Sequence, residues 1–238
     1  MRHLTAAVAA LALASPLTAS AHWGWTSGTA GDGHKVTQQR QVGDFKAIRL
    51  EGSLDVRVKV GAPTAVAVTI DENLQPDVLT RLEGDTLVIE TRNVSYRGEG
   101  KVEISTPALS ALEIEGSGDG IVEGGRGDQR LSVAGSGDLT WRGTAGRLEV
   151  SIAGSGDVRL DGTAEETTMR VAGSGDIQAK ALTTRSADVQ VAGSGDVDVT
   201  LGGGVLRAEV NGSGDIHWSG TAQVDRASVN GSGEIARR

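Results

Sequence analysis

Seven acidic side chains recur in the sequence, each directly after a Gly-Ser-Gly phrase. They are Asp119, Asp138, Asp157, Asp176, Asp196, Asp215 and Glu234, and we call them the Asp column. Carboxylate oxygens are the ligands that Ca²⁺ prefers, so a stacked column could form a calcium ladder, with Asp138, Asp157, Asp176, Asp196 and Asp215 as candidate ligands. The fit to known calcium-binding repeats is poor, because here the acid follows the second glycine directly and the period is far longer than nine residues.

The same phrase has the composition of a tight turn. In that interpretation the structural turn residues include Gly154, Ser155, Gly156 and Asp157, and in the next copy Gly173, Ser174, Gly175 and Asp176. Glycine at the third position would supply a positive φ, and the carboxylate would accept N–H groups of its own corner. Carboxylates about 4.8 Å apart repel by about 0.9 kcal/mol in water, which favours corners close to solvent. The turn interpretation is therefore preferred, and no metal or other cofactor is predicted.

Nucleophilic catalysis is not indicated by the repeated serine. The phrase A-G-S-G-D differs from the G-x-S-x-G nucleophile elbow, and seven copies lack a partnered histidine. The sequence predicts no catalytic residues and a protein that is not an enzyme. Trp141 and Trp218 occupy one repeat position. They are predicted to fill the core or pack in an end coil, with a sugar-stacking platform as the alternative.

A regular repeat must position these residues. The serines of the Gly-Ser-Gly phrases are spaced by 19, 19, 19, 20, 19 and 19 residues. Between them, apolar residues alternate with polar ones, as Leu148, Val150 and Ile152 do, which is typical of strands. Stacking such units pairs each strand with its equivalent one period later. The sequence therefore predicts an all-β fold, a parallel β-helix or β-solenoid with coils of 19–20 residues. Its thin core agrees with the presence of only one Phe, one Tyr and four Trp.

The earlier part of the chain keeps the strand pattern without the Gly-Ser-Gly-Asp phrase. Residues 37–115 are predicted to form irregular coils and residues 116–236 regular ones, together a single β-helix domain over 37–236. One short helix is predicted near residues 73–83, with Asn73 as its N-cap. The last strand, near Ile235, would leave an open sheet edge. Arg237 and Arg238 are expected to discourage association there.

The N-terminal residues and the composition indicate the compartment. Residues 1–21 have a basic start, an apolar run and a small-residue ending, which predict a secretory signal peptide. Its removal would change the net charge from −8 to −9, which argues against nucleic acid as a partner. Residues 22–36 are rich in Gly, Ser and Thr and are predicted to be a flexible mature N-terminus. No apolar run reaches the roughly 20 residues of a transmembrane segment.

The sequence resembles a known bacterial family in three features. They are the stretch QVGDFKAIRLEGSLDVRVKVG, the element VEISTPALSALEIEGSGD and the repeated GSGD. It is the family of auto-transporter adhesin head (GIN) domains, and the resemblance runs from Val36 to Ile235. The resemblance implies a right-handed parallel β-helix in the cell envelope. Together with the predicted signal peptide, it implies export to the periplasm, the outer membrane or the extracellular space.

Three functions remain open from the sequence. The preferred one is a secreted or envelope adhesin-like protein with a non-catalytic binding or structural role, whose partner is a cell-surface glycan or an envelope protein. The second is a polysaccharide-binding or polysaccharide-active β-helix protein. Such enzymes need clustered acid and base groups beside a cleft, and the near-constant coil length leaves little room for one. The third is a calcium-stabilised structural solenoid.

Overall fold

A computed structural model describes residues 28–92, 94–95 and 100–238. The predicted signal peptide over 1–21, and residues 22–27 of the segment predicted to be flexible, lie outside the described residues. The described remainder of that segment, residues 28–36, differs from the expectation. It contains a short strand, Thr29–Ala30, and the first residues of another, Lys35–Arg40, both hydrogen-bonded to other strands. No helix in the described part of the chain is both long and apolar enough to cross a membrane.

The described residues of the chain up to Gly116 form ten short strands. In chain order they are β1 (Thr29–Ala30), β2 (Lys35–Arg40), β3 (Ala47–Gly52), β4 (Asp55–Val60), β5 (Ala65–Asp71), β6 (Val78–Glu83), β7 (Thr86–Thr91), β8 (Val94–Ser95), β9 (Lys101–Thr106) and β10 (Ala111–Gly116). A 3-10 helix spans Glu72–Asp77 between β5 and β6.

The regular half consists of long strands, each bent around a coil. They are β11 (Gly120–Gly135), β12 (Leu139–Gly154), β13 (Val158–Gly173), β14 (Ile177–Gly193), β15 (Val197–Gly212), β16 (Ile216–Gly231) and β17 (Ile235–Arg237). Each pairs in parallel with the next, in a register of 19 or 20 residues. This arrangement confirms the predicted parallel β-solenoid and its coil length.

The order of coils along the solenoid differs from chain order in the irregular half. The coil formed by β3 and β4 lies between the coil formed by β7 and β9 and the coil that β10 and the start of β11 form. The coil of β3 and β4 comes first in the chain but lies inside the stack. The coil of β7 and β9 comes later in the chain and lies nearer the end. Such long-range pairing has no counterpart in the repeat.

The predicted helix near 73–83 is present only as the 3-10 helix Glu72–Asp77. Residues 78–83 form β6 instead, which pairs antiparallel with β7. The N-cap residue is Asp71 rather than Asn73. Pro76 lies inside the helix and cannot donate a backbone hydrogen bond, which favours a short element. The alternation Val78, Thr80, Leu82 then satisfies the period of a strand.

The solenoid is closed at this end, and we call β2, β5, β6 and the 3-10 helix the closed end. Strand β5 pairs antiparallel with β9, and β2 covers β5. Leu74 of the 3-10 helix is fully buried, and Gln75 donates to the carbonyls of Val36 and Val68. The first coil is thereby shielded from water.

The core is a set of stacked columns of inward side chains. One column contains Leu50, Ile114, Val133, Ile152, Val171, Val191 and Val210, all buried. Burying such a side chain contributes about 1.5–3 kcal/mol. Repetition of this contribution along the rod compensates for a core with few aromatic residues.

Candidate functional site

The Gly-Ser-Gly-Asp corners stack directly on one another. The first glycine of the phrase takes the positive φ, as at Gly154 (142°) and Gly173 (138°). The second glycine, Gly156 or Gly175, does not, so the prediction that the third position supplies the positive φ is wrong. Gly175 is required for a different reason, because a Cβ atom there would overlap the carbonyl group of Gly156 in the preceding coil.

The Asp column is hydrogen-bonded from coil to coil. The Asp176 N–H donates to Oδ1 of Asp157 at 2.9 Å, and the Asp196 N–H donates to Oδ1 of Asp176 at 2.8 Å. The pattern runs from Asp119 to Glu234. Each carboxylate was expected to bind N–H groups of its own corner, and it instead bonds the equivalent residue of the next coil. The column therefore ties coils together.

The described residues contain no group of three or more His, Cys, Asp or Glu side chains placed to hold a metal ion. In the Asp column Oδ1 of each of the six aspartates accepts the backbone N–H of the next column residue. The calcium-ladder alternative receives no support from this geometry.

Trp141 is a core residue, as predicted. Its side chain is fully buried, and Nε1 donates to Oε1 of Gln129 at 2.6 Å. The amide of Gln129 donates in turn to the Leu109 carbonyl. Trp218 lies in the last complete coil, only partly buried, with the guanidinium of Arg237 5.1 Å from its ring centre. Trp141 is therefore inaccessible to a sugar.

An extra residue in one coil opens a recess beside the Asp column. The register shifts between Arg159 and Asp161 of β13 where β14 carries one residue more, and the surplus lies near Lys180. The hydroxyl of Thr200 donates to the Lys180 carbonyl at 3.0 Å. The recess has a volume of about 370 Å³, and we call it the coil recess. Its lining residues are Arg159, Leu160, Asp176, Ile177, Gln178, Lys180, Ala181, Asp196 and Asp198.

Donors and acceptors alternate around the coil recess. Arg159 donates to Oε1 of Gln178 at 2.8 Å, and Nζ of Lys180 lies 3.1 Å from Oδ2 of Asp198. Three carboxylates face two cations, so the lining has no excess positive charge to attract an anion. Hydroxyl groups both donate and accept hydrogen bonds. The arrangement therefore matches a neutral molecule that carries several hydroxyl groups.

A second hollow is apolar and lies near the closed end. It has a volume of about 260 Å³. Its lining residues are Asp44, Phe45, Lys46, Thr64, Asp85, Thr106, Pro107 and Ala108. Phe45 is buried, whereas Pro107 and Ala108 are exposed at its rim. We call it the Phe45 hollow.

A cluster of charge pairs lies on the outer face of the sheet. Glu90 accepts hydrogen bonds from Arg92 and Arg81, each at 2.6 Å. These bonds, that from Arg92 foremost, hold the pKa of Glu90 below its ordinary value, although burial acts in the opposite direction. The hydrogen bond from Arg49 to Glu113 likewise raises the pKa of Arg49. These pairs are structural ties between neighbouring strands.

Sequence reasoning missed most of the coil recess. Asp176 and Asp196 were candidates, but Arg159, Gln178, Lys180 and Asp198 were not. One signal could have indicated them: the single spacing of 20 residues, between Ser174 and Ser194. An extra residue in one coil must bulge outward where neighbouring coils keep their register.

Comparisons with known proteins agree with the fold. A family model described as "Putative auto-transporter adhesin, head GIN domain" matches residues 44–222. A search of curated proteins found no match. A crystal structure described as a putative adhesin from Bacteroides fragilis is 24% identical with a TM-score of 0.83, covering 89% of this chain and 100% of that chain. A structure from Parabacteroides distasonis described as a putative lipid binding protein is 27% identical with a TM-score of 0.72, covering 88% and 99%. A putative adhesin from the same species is 26% identical with a TM-score of 0.67, covering 88% and 99%.

Proposed function

From the premise that the chain belongs to the family of auto-transporter adhesin head GIN domains, we propose that it is an exported, non-catalytic, adhesin-like protein. Its ligand is a hydroxyl-rich glycan, bound at the coil recess. The observation that carries the proposal is the recess itself, where one extra residue of β14 interrupts the 19-residue register and places donors beside acceptors.

The size and exposure of the coil recess suit a segment of a surface glycan. Its volume of about 370 Å³ falls at the low end of the range for ligand pockets, roughly 300–1,000 Å³. The Nε2 donor of Gln178 makes no hydrogen bond within the described part of the chain, so it is available to a ligand. The Asp column holds the recess on stacked coils, so its polar groups are positioned before a ligand arrives.

A glycan array with the labelled mature protein tests the ligand class. Glycans that bind should bind Gln178→Ala about tenfold more weakly, since loss of one polar contact in a binding site corresponds to about 1.4 kcal/mol. Gln190→Ala is the matched control, because Gln190 is an exposed residue on another face. Equal binding by both variants would contradict a site at the recess.

The non-catalytic part of the proposal has its own test. The mature protein should release no new reducing ends from any polysaccharide that it binds, over a long incubation. Product that accumulates in proportion to protein concentration would make the chain an enzyme.

Export is tested in cells by fractionation. The full chain should be recovered outside the cytoplasm and shortened by residues 1–21. A variant without these residues should stay in the cytoplasm, as expected if they act as a signal peptide. Cytoplasmic retention of the full chain would refute export.

A second candidate ligand, a lipid, is favoured by the Phe45 hollow. The hollow is lined mainly by apolar surface, and the similar structure from Parabacteroides distasonis is described as a putative lipid binding protein. A fluorescent fatty acid should bind the wild type, and Ala108→Trp should abolish its binding by filling the hollow. Ala153→Trp, an exposed alanine far along the sheet, is the control. Failure of the probe to bind the wild type removes this candidate.

A further inference from the structure

At the end of the solenoid opposite the closed end, part of β16 lies at the edge of the sheet formed by the described residues. The first part of β16 is covered by β17, which pairs only with Ile216, His217 and Trp218. Of the remainder, residues 221–231 pair with β15 on one side and have no strand on their other side in the described part of the chain. We call residues 221–231 the open edge. Unpaired N–H and C=O groups in a row are a template for another strand.

The apolar core pattern continues into the open edge. Three of its residues pair in register with buried residues of the preceding coil: Val224 with Leu206, Ala227 with Ala208, and Val229 with Val210. Val224 is nevertheless 46% exposed and Val229 40% exposed. An end that had to face water would carry polar residues at these positions, as the rims of other solenoids do.

The two C-terminal arginines do not guard this edge. Arg237 lies over the Trp218 ring and donates to the Gly220 carbonyl at 2.6 Å. Arg238 lies 2.8 Å from Nε2 of His217. Both side chains lie against residues 217–220 and not along the open edge. The prediction that they discourage association concerned the edge near Ile235 and stays a prediction.

We propose that the open edge binds the same edge of a second copy of this chain, in an antiparallel pair about a two-fold axis. Such a contact gives both edges hydrogen-bond partners and buries both exposed apolar faces. It is an isologous interface at the end of the rod. The resulting particle is a longer rod with a closed end at each tip.

The sequence of the edge selects one register. Arg207 aligns with Arg226, and Leu206 with Val224, so Asp225 is an extra residue that puts two outward side chains in succession. In the antiparallel pair, inward side chains of one copy must lie opposite inward side chains of the other. On both sides of the bulge this holds only when Asp225 lies opposite Arg226 of the second copy. Val224 is then opposite Ala227, and Ala222 opposite Val229.

Charge and hydrogen bonding agree with that register. Each Asp225 meets an Arg226, twice per interface, beside the existing pairs of Asp225 with Arg207 at 2.7 Å and of Arg226 with Glu209 at 3.3 Å. Gln223 lies opposite Ser228, whose buried hydroxyl has no hydrogen-bond partner within one copy. The second copy supplies that partner.

Sedimentation of the mature protein tests the proposal. The wild type should sediment as a dimer at micromolar concentrations. Asp225→Arg alone and Arg226→Asp alone should each place like charges opposite one another and be monomeric under the same conditions. An equimolar mixture of the two variants should recover a dimer, because each then faces its opposite. Arg170→Asp, a reversal on the same sheet three coils away, should remain dimeric.

Several outcomes would overturn the proposal. A monomeric wild type at 100 µM, a dimer that survives both single reversals, or a mixture that fails to associate would each do so. Amide hydrogen exchange tests whether another part of the same chain covers the open edge. Slow exchange over residues 221–231 in a monomer would mean that another part of the same chain covers the edge.

Discussion

Replacement of Gly175 by alanine should loosen two neighbouring coils. A Cβ atom there would overlap the carbonyl oxygen of Gly156 and lie 3.0 Å from its carbon. Carbon atoms in contact prefer about 3.5–4.0 Å, so the coils would have to separate by roughly 1 Å at this corner. Both coils are held by further neighbours, and neither can move freely.

The magnitude follows from the hydrogen bonds at that corner. Ser174 N–H to the Gly154 carbonyl (2.9 Å), Asp176 N–H to Asp157 Oδ1 (2.9 Å) and Val158 N–H to the Asp176 carbonyl (2.8 Å) would all be stretched. At about 0.5–1.5 kcal/mol net for each bond, the loss is about 2–4 kcal/mol. A loss of about 3 kcal/mol corresponds to a drop in Tm of roughly 6–12 °C for a chain of this size.

Urea denaturation followed by circular dichroism measures this loss. Gly202→Ala is the matched control, because the added Cβ would meet only the Thr183 methyl group at 3.3 Å and a carbonyl oxygen at 3.7 Å. Both variants lose the same backbone freedom in the unfolded chain, so their difference isolates the overlap. If the two free energies of unfolding agree within about 1 kcal/mol, the second glycine of the phrase is not a spacing requirement.

Four further variants, at three positions, test the ties between coils. Asp176→Asn keeps the oxygen that accepts the Asp196 N–H and removes a repelling charge. Urea denaturation at low salt should therefore give this variant a free energy of unfolding equal to or higher than that of the wild type. Asp176→Ala loses the acceptor and should be about 1 kcal/mol less stable. Trp141→Phe leaves the buried Gln129 oxygen without its donor and should cost about 1–3 kcal/mol by the same assay; no loss would contradict the core role of this hydrogen bond. Because the folded pKa of Glu90 is lowered, its contribution is present above its unfolded pKa of about 4.3 and is lost as pH falls through the folded value. The stability difference between wild type and Glu90→Gln, measured by urea titration at pH 7 and pH 3, should therefore shrink in acid, and a constant difference would refute it.

The regular half could be predicted from sequence because one spacing encodes its pairing. Once Ser136 and Ser155 are aligned, every register between β12 and β13 follows. The irregular half could not be predicted in this way. The coil of β3 and β4 pairs with residues up to about 64 positions later, and no phrase in the sequence marks those partners.

The candidate site was only half predictable for a related reason. Sequence placed Asp176 and Asp196 in one column, yet it assigned each carboxylate to its own corner. A carboxylate two bonds from the backbone reaches the next coil as easily as its own turn, and only the stacking distance decides between them. Lys180 and Gln178 became neighbours of the column because of a bulge, whose direction depends on packing against two coils at once.

The 19-residue coil also makes the length of the rod additive. Gly154 precedes Ser155 as Gly173 precedes Ser174, so excision of residues 155–173 would join equivalent positions and leave each lateral column continuous. The rod would shorten by about 4.8 Å, the spacing of neighbouring strands. Gain or loss of a whole coil that contributes no lining residue, such as residues 136–154, would thus move the coil recess away from or toward the closed end in fixed steps. In this fold, the distance of a binding site from the closed end is set by the number of coils between them.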